Sequence, residues 1–390
     1  MTQFAILRRW RKEDFGCRVF CIVALIGTVP VFFYAHASLR EYAAGKRISL
    51  PSIAVRGSAR RITCNASGVM PRILFWTDFP QRAMLNPAGV DELQVPHCKH
   101  RCRVTYNRNY LNCSDALVFH SQDLNINDLP IVRHIFQKWV FYANEAPEYS
   151  YTGDFYRLNS LFNWTMTYRS DSDVPLRCGA FRRSSANRNR TNFKDLWMRK
   201  KKTAVWLPSA CKTKSKREDF VSELQKYTDV DVYGDCGLWK AVSSTKGASF
   251  RYFSKDYYFW LALENSLCQD YVTSELFTAL KHYIVPVALG TVNYSAITPP
   301  HSVIDVFSFA SPKLLADYLQ KVKMDLNLYG AYFRWKKTYD VVVEDEPFCS
   351  LCGKLHSAKF KTFSLYEDLR TWWVNRSECV DWNGSADFSP

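Results

Sequence analysis

From about residue 72 the chain alternates short apolar runs with polar or turn-forming breaks. ILFWTDF (73–79), Leu117–Phe119 ending at His120, and KWVFYA (138–143) ending at Asn144-Glu145-Ala146-Pro147 are the first runs. FNWTMTYR (162–169), TAVWL (203–207), Val230–Tyr233 before Gly234, Phe259–Leu263, and Ile284–Leu289 closed by Gly290 continue the series. Apolar runs of this length without alternation predict strands covered on both faces, as in a parallel sheet. Helical spacing falls between them. Phe220–Tyr227 reads as a helix, as does Ser311–Tyr318 with Pro312 in its first turn. From about Asp270, the positions Tyr271, Leu276, Leu280 and Tyr283 fall on one helical face. The pattern predicts an α/β fold. Its clearest unit is Tyr257–Gly290, a strand, a polar break at Glu264-Asn265-Ser266, a helix and a second strand. Open α/β sheets bind ligands at such carboxyl ends, where a helix N-terminus suits a phosphate.

The N-terminus breaks this pattern. Residues 1–18 are polar and basic, and Val19–Ala37 then carries no charge. Nineteen helical residues reach about 28 Å, close to a hydrocarbon core of roughly 30 Å. We read 1–18 as a cytoplasmic tail, 19–37 as a transmembrane signal-anchor kinked at Pro30, and the small, polar stretch 38–71 as a stem. Ala35-His36-Ala37 offers the rival reading of a cleaved signal peptide, but the apolar run is longer than a typical signal core. Positive charge flanks both sides of the span, so the positive-inside contrast does not orient it. Sequons do. Asn65, Asn112, Asn163, Asn189, Asn293, Asn375 and Asn383 all head acceptor triplets beyond the span, and eleven of the thirteen cysteines lie there too. A lumenal body on an N-in, C-out anchor is expected.

With that class in hand, the net charge of +15 loses its usual meaning. Nucleic acid would be the default partner of such a chain, but an anchored, sequon-rich, cysteine-rich body argues against it. Nine basic residues against Asp195 sit between Arg182 and Lys202. This stretch reads as a solvated linker between two domains, 72–190 and 191–345, followed by a cysteine-containing segment, 346–390, packing back on the body. At 390 residues the chain is long enough for both domains.

The residues of the βαβ unit are specific. FWLALENSLCQDYVT resembles the donor-binding signature of the α1,3-fucosyltransferase family, through Leu261, Glu264-Asn265-Ser266, Cys268, Asp270, Tyr271 and Thr273. FNWTMTYRSDSDV resembles a second family motif almost residue for residue. Glu145 with Pro147 is similar to its E-S-P motif, with Ala146 for the Ser, and SACKTKSKR resembles the loop that ends in Arg217. The resemblance covers about residues 72–379. It implies two Rossmann-like domains facing a cleft (a GT-B fold), an acceptor-side domain at 72–190 and a GDP-fucose-binding domain at 191–345. It also implies a type II Golgi membrane enzyme that moves fucose with inversion onto N-acetylglucosamine of glycoprotein or glycolipid glycans.

The resemblance assigns the site residues. Glu145 is the implied base. Arg217 grips the diphosphate, as suits a guanidinium. Glu264 offers an acceptor pair to the ribose, Asn265 and Tyr271 belong to the nucleotide pocket, with Tyr271 packing on guanine, and Tyr168 and Arg169 line the cleft. No metal is obligatory, a divalent cation being at most stimulatory. Asp171-Ser172-Asp173 therefore reads as structural although D-x-D holds a metal in other transferases. The family's Glu-Lys pair after the Thr is Ser274-Glu275 here. An acid beside a diphosphate predicts weak donor binding, with a catalytically impaired glycan-binding or scaffold protein as the alternative. Cys98, Cys102, Cys349 and Cys352 could ligate zinc, but a lumenal body favours disulfides. The family's C-terminal C-x-x-C bridges to the first domain, which leaves three pairings. Cys211 with Cys236 is a further bridge candidate.

Overall fold

The computed structural model describes residues 48–49, 70–78, 90–94, 98–184, 192–238, 246–343, 348–357, 362 and 364–384. The expected tail, membrane span and nearly all of the stem lie outside them, as do Asn65 and Asn189. No helix among the described residues is long and apolar enough to cross a membrane. The chain divides into two compact units. In the smaller, Met1–Thr63 with Asn127–Gln137, strand β1 (Ile48–Ser49) pairs antiparallel with β6 (Val132–Arg133).

The larger unit contains two parallel sheets. The first uses β2 (Arg72–Phe75), β3 (Glu92–Gln94), β4 (Arg103–Thr105), β5 (Ala116–His120), β7 (Lys138–Ala143) and β8 (Trp164–Thr167), in the order β3-β4-β2-β5-β7-β8. Only the β3–β4 pair is antiparallel. The second uses β10 (Lys202–Trp206), β11 (Val230–Val232), β12 (Tyr257–Leu263), β13 (Val285–Leu289) and β14 (Ile304–Asp305), in the order β11-β10-β12-β13-β14, all parallel. With the edge strand β3 set aside, both sheets share one topology. The second strand in sequence lies outside the first, and the third, fourth and fifth follow on its other side. In each sheet the connections reverse between first and third strands, where a crevice opens at the carboxyl ends.

The apolar runs become strands because both faces are covered. All seven residues of β12 and all six of β7 are buried. Alternate β12 residues serve opposite layers. Phe259, Leu261 and Leu263 pack with Phe220, Leu224, Leu315 and Leu319, while Trp260 and Ala262 pack with Phe250, Phe253, Leu276 and Leu280. Two helices start later or earlier than the pattern predicts. The helix expected from about Asp270 is Ser274–Lys281, since Asp270 adopts φ 65° and Tyr271 stays in the loop. The helix expected at Phe220 begins at Arg217.

The basic stretch is not simply a solvated linker. Strand β9 (Ala180–Arg183) pairs antiparallel with β15 (Tyr339–Val342). Phe193–Arg199 is a helix whose Phe193 packs on Tyr329 and Phe333. Lys200 is 4% exposed and donates to the carbonyls of Ser254 and Tyr257. An amphipathic lysine stem buries readily when its ammonium finds such acceptors.

Cysteines close the fold. Of the three pairings left open, the structure has Cys98–Cys349 and Cys102–Cys352, so these thiols are not zinc ligands. They hold the helix Phe348–Leu355 against the first sheet, where Phe348, Leu351 and Leu355 join Ile73, Phe75, Val118 and Val140. Cys211–Cys236 forms as expected, and Cys268–Cys379, absent from the sequence reading, ties the loop after β12 to the C-terminal segment. Cys178 keeps its thiol. One sequon is structural. Asn163 is 2% exposed, accepts from Trp139 N and donates to Ser364 O, so its amide is not available to a glycan in the folded chain. Asn112, Asn293, Asn375 and Asn383 are exposed.

Candidate active site

The carboxyl ends of the strands bring together three loops: the one after β10, the one after β12 and the one after β7. The first two flank the reversal point of the second sheet and are stitched to each other. Buried Ser215 donates from its amide to Asn265 O at 3.1 Å and from its hydroxyl to Glu264 O at 2.7 Å. Lys216, in the left-handed region, then turns the chain into the helix that opens with Arg217. Arg217 is 5% exposed; its Nη1 donates to Leu263 O, while Nε and Nη2 are buried with no protein partner. A buried guanidinium with three idle N–H bonds on two nitrogens, at a strand's carboxyl end, is suited to an anion.

Glu264 follows β12 directly and is 3% exposed. Its Oε1 accepts from Thr273 N at 2.9 Å and from Thr273 Oγ1 at 3.3 Å, clamping the start of the helix Ser274–Lys281. Burial raises its pKa to about 8, and the nearby Glu275 charge adds to that. It is thus a buried, mostly protonated carboxyl with one oxygen already engaged, rather than an open acceptor pair. Gly290 belongs to the same packing, since a Cβ there would stand 2.8 Å from Tyr294 Oη and 3.3 Å from Glu264 Cγ. Ser274 is exposed at the helix start and Glu275 half-buried in its first turn. An acid there suits the helix dipole.

Across from this loop stands Glu145, two residues beyond the end of β7. Its Oε2 accepts from Tyr271 Oη at 2.9 Å and from Asn265 Nδ2 at 3.3 Å. Glu148, one turn on, accepts from Ser266 Oγ at 2.6 Å. Ser266 belongs to the signature after β12, but Glu148 did not stand out in the sequence; its place three residues after Glu145 is the one trace it left. Tyr271 is 1% exposed, with its ring edge-on to Tyr168 at 4.8 Å, so it is enclosed rather than open to a base. Tyr168 lines a cavity of about 450 Å³ with Ser170, Asp270, Cys178, Phe181 and Phe277.

Arg169 is not at a cleft surface. It is 5% exposed, grips Asp171 with Nε and Nη2 at 2.8 and 2.9 Å, and donates through Nη1 to Arg376 O at 2.6 Å. The Arg169 guanidinium holds the Asp171 carboxyl below its usual range. Asp173 accepts from Thr165 N and Tyr366 Oη and pairs with Lys354. Both acids of the D-x-D triplet are therefore taken by protein donors. The groupings of His, Cys, Asp and Glu within metal-ligating reach among the described residues rest on disulfide cysteines.

Comparison with known proteins gives the family. Residues 69–179 match the family model "Fucosyltransferase, N-terminal", and 197–372 match "Glycosyltransferase family 10 (fucosyltransferase) C-term". The chain is 36% identical over 338 residues to alpha-(1,3)-fucosyltransferase C of Drosophila melanogaster, covering 78% of this chain and 77% of that one. It is 30% identical over 387 residues to the 4-galactosyl-N-acetylglucosaminide 3-alpha-L-fucosyltransferase FUT5 of Gorilla gorilla gorilla, covering 93% and 95%. A crystal structure of an alpha1,3-fucosyltransferase with GDP is similar in fold, at 15% identity and a TM-score of 0.50 over 79% of this chain and 95% of that one. The two matched models span both sheets, and the relatives cover most of the body: this chain belongs to glycosyltransferase family 10, the fucosyltransferases.

Proposed function

We propose that this enzyme is an α1,3-fucosyltransferase that moves fucose from GDP-fucose to a hydroxyl of N-acetylglucosamine in glycoprotein or glycolipid glycans. The observation that carries this reading is Glu145, held at the end of β7 against the loop that follows β12. In the inverting reaction the acceptor oxygen attacks C1 of fucose as the bond from C1 to the β-phosphate oxygen breaks. Glu145 takes the acceptor's proton, and GDP leaves with the bonding electrons. Arg217 meets the growing charge on the diphosphate with Nε and Nη2. Asn265, whose Oδ1 is also buried without a partner, contributes to the nucleotide side.

Ser274 and Glu275 belong to the same donor subsite, at the start of the helix beside the cavity. A complete base, an idle buried guanidinium and a stitched loop pair do not favour an impaired protein. The two sheets correspond on this reading to the halves of a GT-B enzyme, and no step calls on a metal. The body works in the Golgi lumen on a single-pass type II anchor. The test is transfer by the purified protein from GDP-fucose to a panel of N-glycan and lactosamine acceptors. No transfer to any acceptor, with GDP bound normally, would overturn the proposal.

A further inference from the structure

The residue read as the base belongs to the first sheet, yet the second sheet's loop holds it. Both hydrogen bonds that Glu145 receives from that loop end on one oxygen, Oε2. The oxygen Oε1 takes neither. Of the two donors, Tyr271 has the better distance, 2.9 Å against 3.3 Å, and the more constrained side chain. It is 1% exposed, its ring is fixed edge-on by Tyr168, and burial pushes its hydroxyl well above the usual range, so it stays a donor at any working pH. The backbone around it is set as well. Cys268–Cys379 anchors the loop, and Asp270 receives Ser170 N and Oγ at 3.0 and 2.6 Å. The Ser266–Glu148 bond fixes the turn just beyond Glu145.

We propose that Tyr271 is a positioning residue for Glu145: by holding Oε2 it turns Oε1 toward the acceptor hydroxyl and aligns the base with the bound donor. This departs from a nucleotide-stacking role for Tyr271, and it rests on Glu145 being the base. A carboxylate fixed at one oxygen has a defined lone pair for the incoming proton, and small misplacements of such a group are expensive in rate. The coupling also explains why a loop of the second sheet is built against the first. The base is in register only when that loop is.

Tyr271→Phe removes one oxygen and leaves the ring packing, so it isolates the hydrogen bond. In the full-length enzyme we expect kcat to fall by about tenfold to a hundredfold, the range for a hydrogen bond to a charged group, with the Kd for GDP within about twofold of wild type. Combined with Glu145→Gln, which lowers kcat alone, Tyr271→Phe should cause no further loss, because it acts through the carboxylate. A weakened Kd for GDP with kcat unchanged would overturn the proposal and return Tyr271 to the nucleotide. Additive losses in the double variant would also overturn it. Full activity in Glu145→Gln would instead remove the base reading itself, a different failure visible in the same set. If Tyr271→Phe does not fold, Asn265→Ala removes the weaker donor to Oε2, at 3.3 Å, together with a nucleotide contact. It should weaken the Kd for GDP and lower kcat by less than about tenfold; a larger loss in kcat would give the positioning role to Asn265 and overturn the proposal.

Discussion

The two sheets share a strand order but not a division of labour. In the second, the reversal point between β10 and β12 is open for chemistry: Arg217 and Asn265 keep buried polar atoms without protein partners there. In the first, the matching point between β2 and β5 is closed on itself. Thr77 Oγ1 accepts from His120 N at 2.7 Å, and buried His120 is spent on Asp123 and Asn144. The group proposed to react, Glu145, stands instead after the next strand outward, β7. The sheets also differ in what completes them. The second is filled mainly by its own helices, whereas the first recruits the helix Phe348–Leu355 across about 250 residues through two disulfides. One topology thus supplies a half whose core is built mainly from its own helices, with Trp382 and the Cys268–Cys379 bridge reaching it from the C-terminal segment. The other half is completed by the distant helix Phe348–Leu355 and lends Glu145 to the proposed chemistry.

The sharpest test of that division is Glu145→Gln. If the first sheet contributes a single reacting group, the variant should lose about 10² to 10⁴ in kcat, the usual range for a general base. GDP affinity, which the proposal assigns to the second sheet, should be unchanged by calorimetry. Near wild-type turnover would mean that the first sheet holds its base elsewhere.

The disulfides sharpen the contrast in stability. Cys98–Cys349 and Cys102–Cys352 close almost the same loop, 251 and 250 residues, so either one alone retains most of the constraint. Replacing Cys349 alone by Ser should therefore cost little. Replacing Cys349 and Cys352 together should cost about 5–6 kcal/mol in the chain-entropy picture, against about 3.5 kcal/mol for the loop of Cys211–Cys236, whose ends are 25 residues apart. Denaturant titration measures both; equal losses for the two regions would erase the difference.

On the second sheet, Arg217→Lys keeps a charge but loses the fork. We expect the KM for GDP-fucose to rise by about tenfold or more, since the donors on Nε and Nη2 are removed from a charged contact. An unchanged KM would mean that the guanidinium serves only Leu263 O.

How much of this was legible in the sequence follows from range. Strands β5, β7, β10, β12 and β13 were readable as apolar runs, because burial on both faces writes itself into consecutive residues. Glu145 and Arg217 were readable from motif resemblance and stand at strand ends. What was missed is long-range or hidden by local pattern. Tyr271 falls on a helical period with Leu276 and Leu280, yet Asp270 at φ 65° keeps it in the loop, where its hydroxyl reaches Glu145. Arg169 looks like a cleft residue until Arg376 O, 207 residues away, accepts its hydrogen bond. Cys268 and Cys379 lie 111 residues apart with nothing local to pair them. The Asn163 triplet is a perfect sequon whose amide is spent inside the sheet.

The smallest expected effect concerns Glu264, where the second sheet's helix start meets its binding loop. The ordinary pKa of 4.5 is raised to about 8, chiefly by burial. A carboxyl with a raised folded pKa binds its proton more tightly in the native state than in the unfolded chain. Below about pH 4.5 both states are protonated, and its contribution is complete. Between about pH 4.5 and pH 8 the unfolded chain ionises while the native one does not, so stability falls as pH rises. Above that window the contribution is fully lost and the native carboxylate is ionised in a dry site. Glu264→Gln keeps an oxygen to accept from Thr273 N and Oγ1 but cannot ionise. Relative to wild type, the variant should therefore gain a few degrees in Tm on going from pH 5 to pH 8, as about 1 kcal/mol shifts a chain of this size by a degree or two. Taking the difference between the two proteins at each pH cancels the other titrating groups. A difference that does not change across the window would mean that Glu264 is ionised throughout, with Arg217 as its counter-ion rather than a free anion hook, and the binding half would then lose the feature that sets it apart from the first sheet.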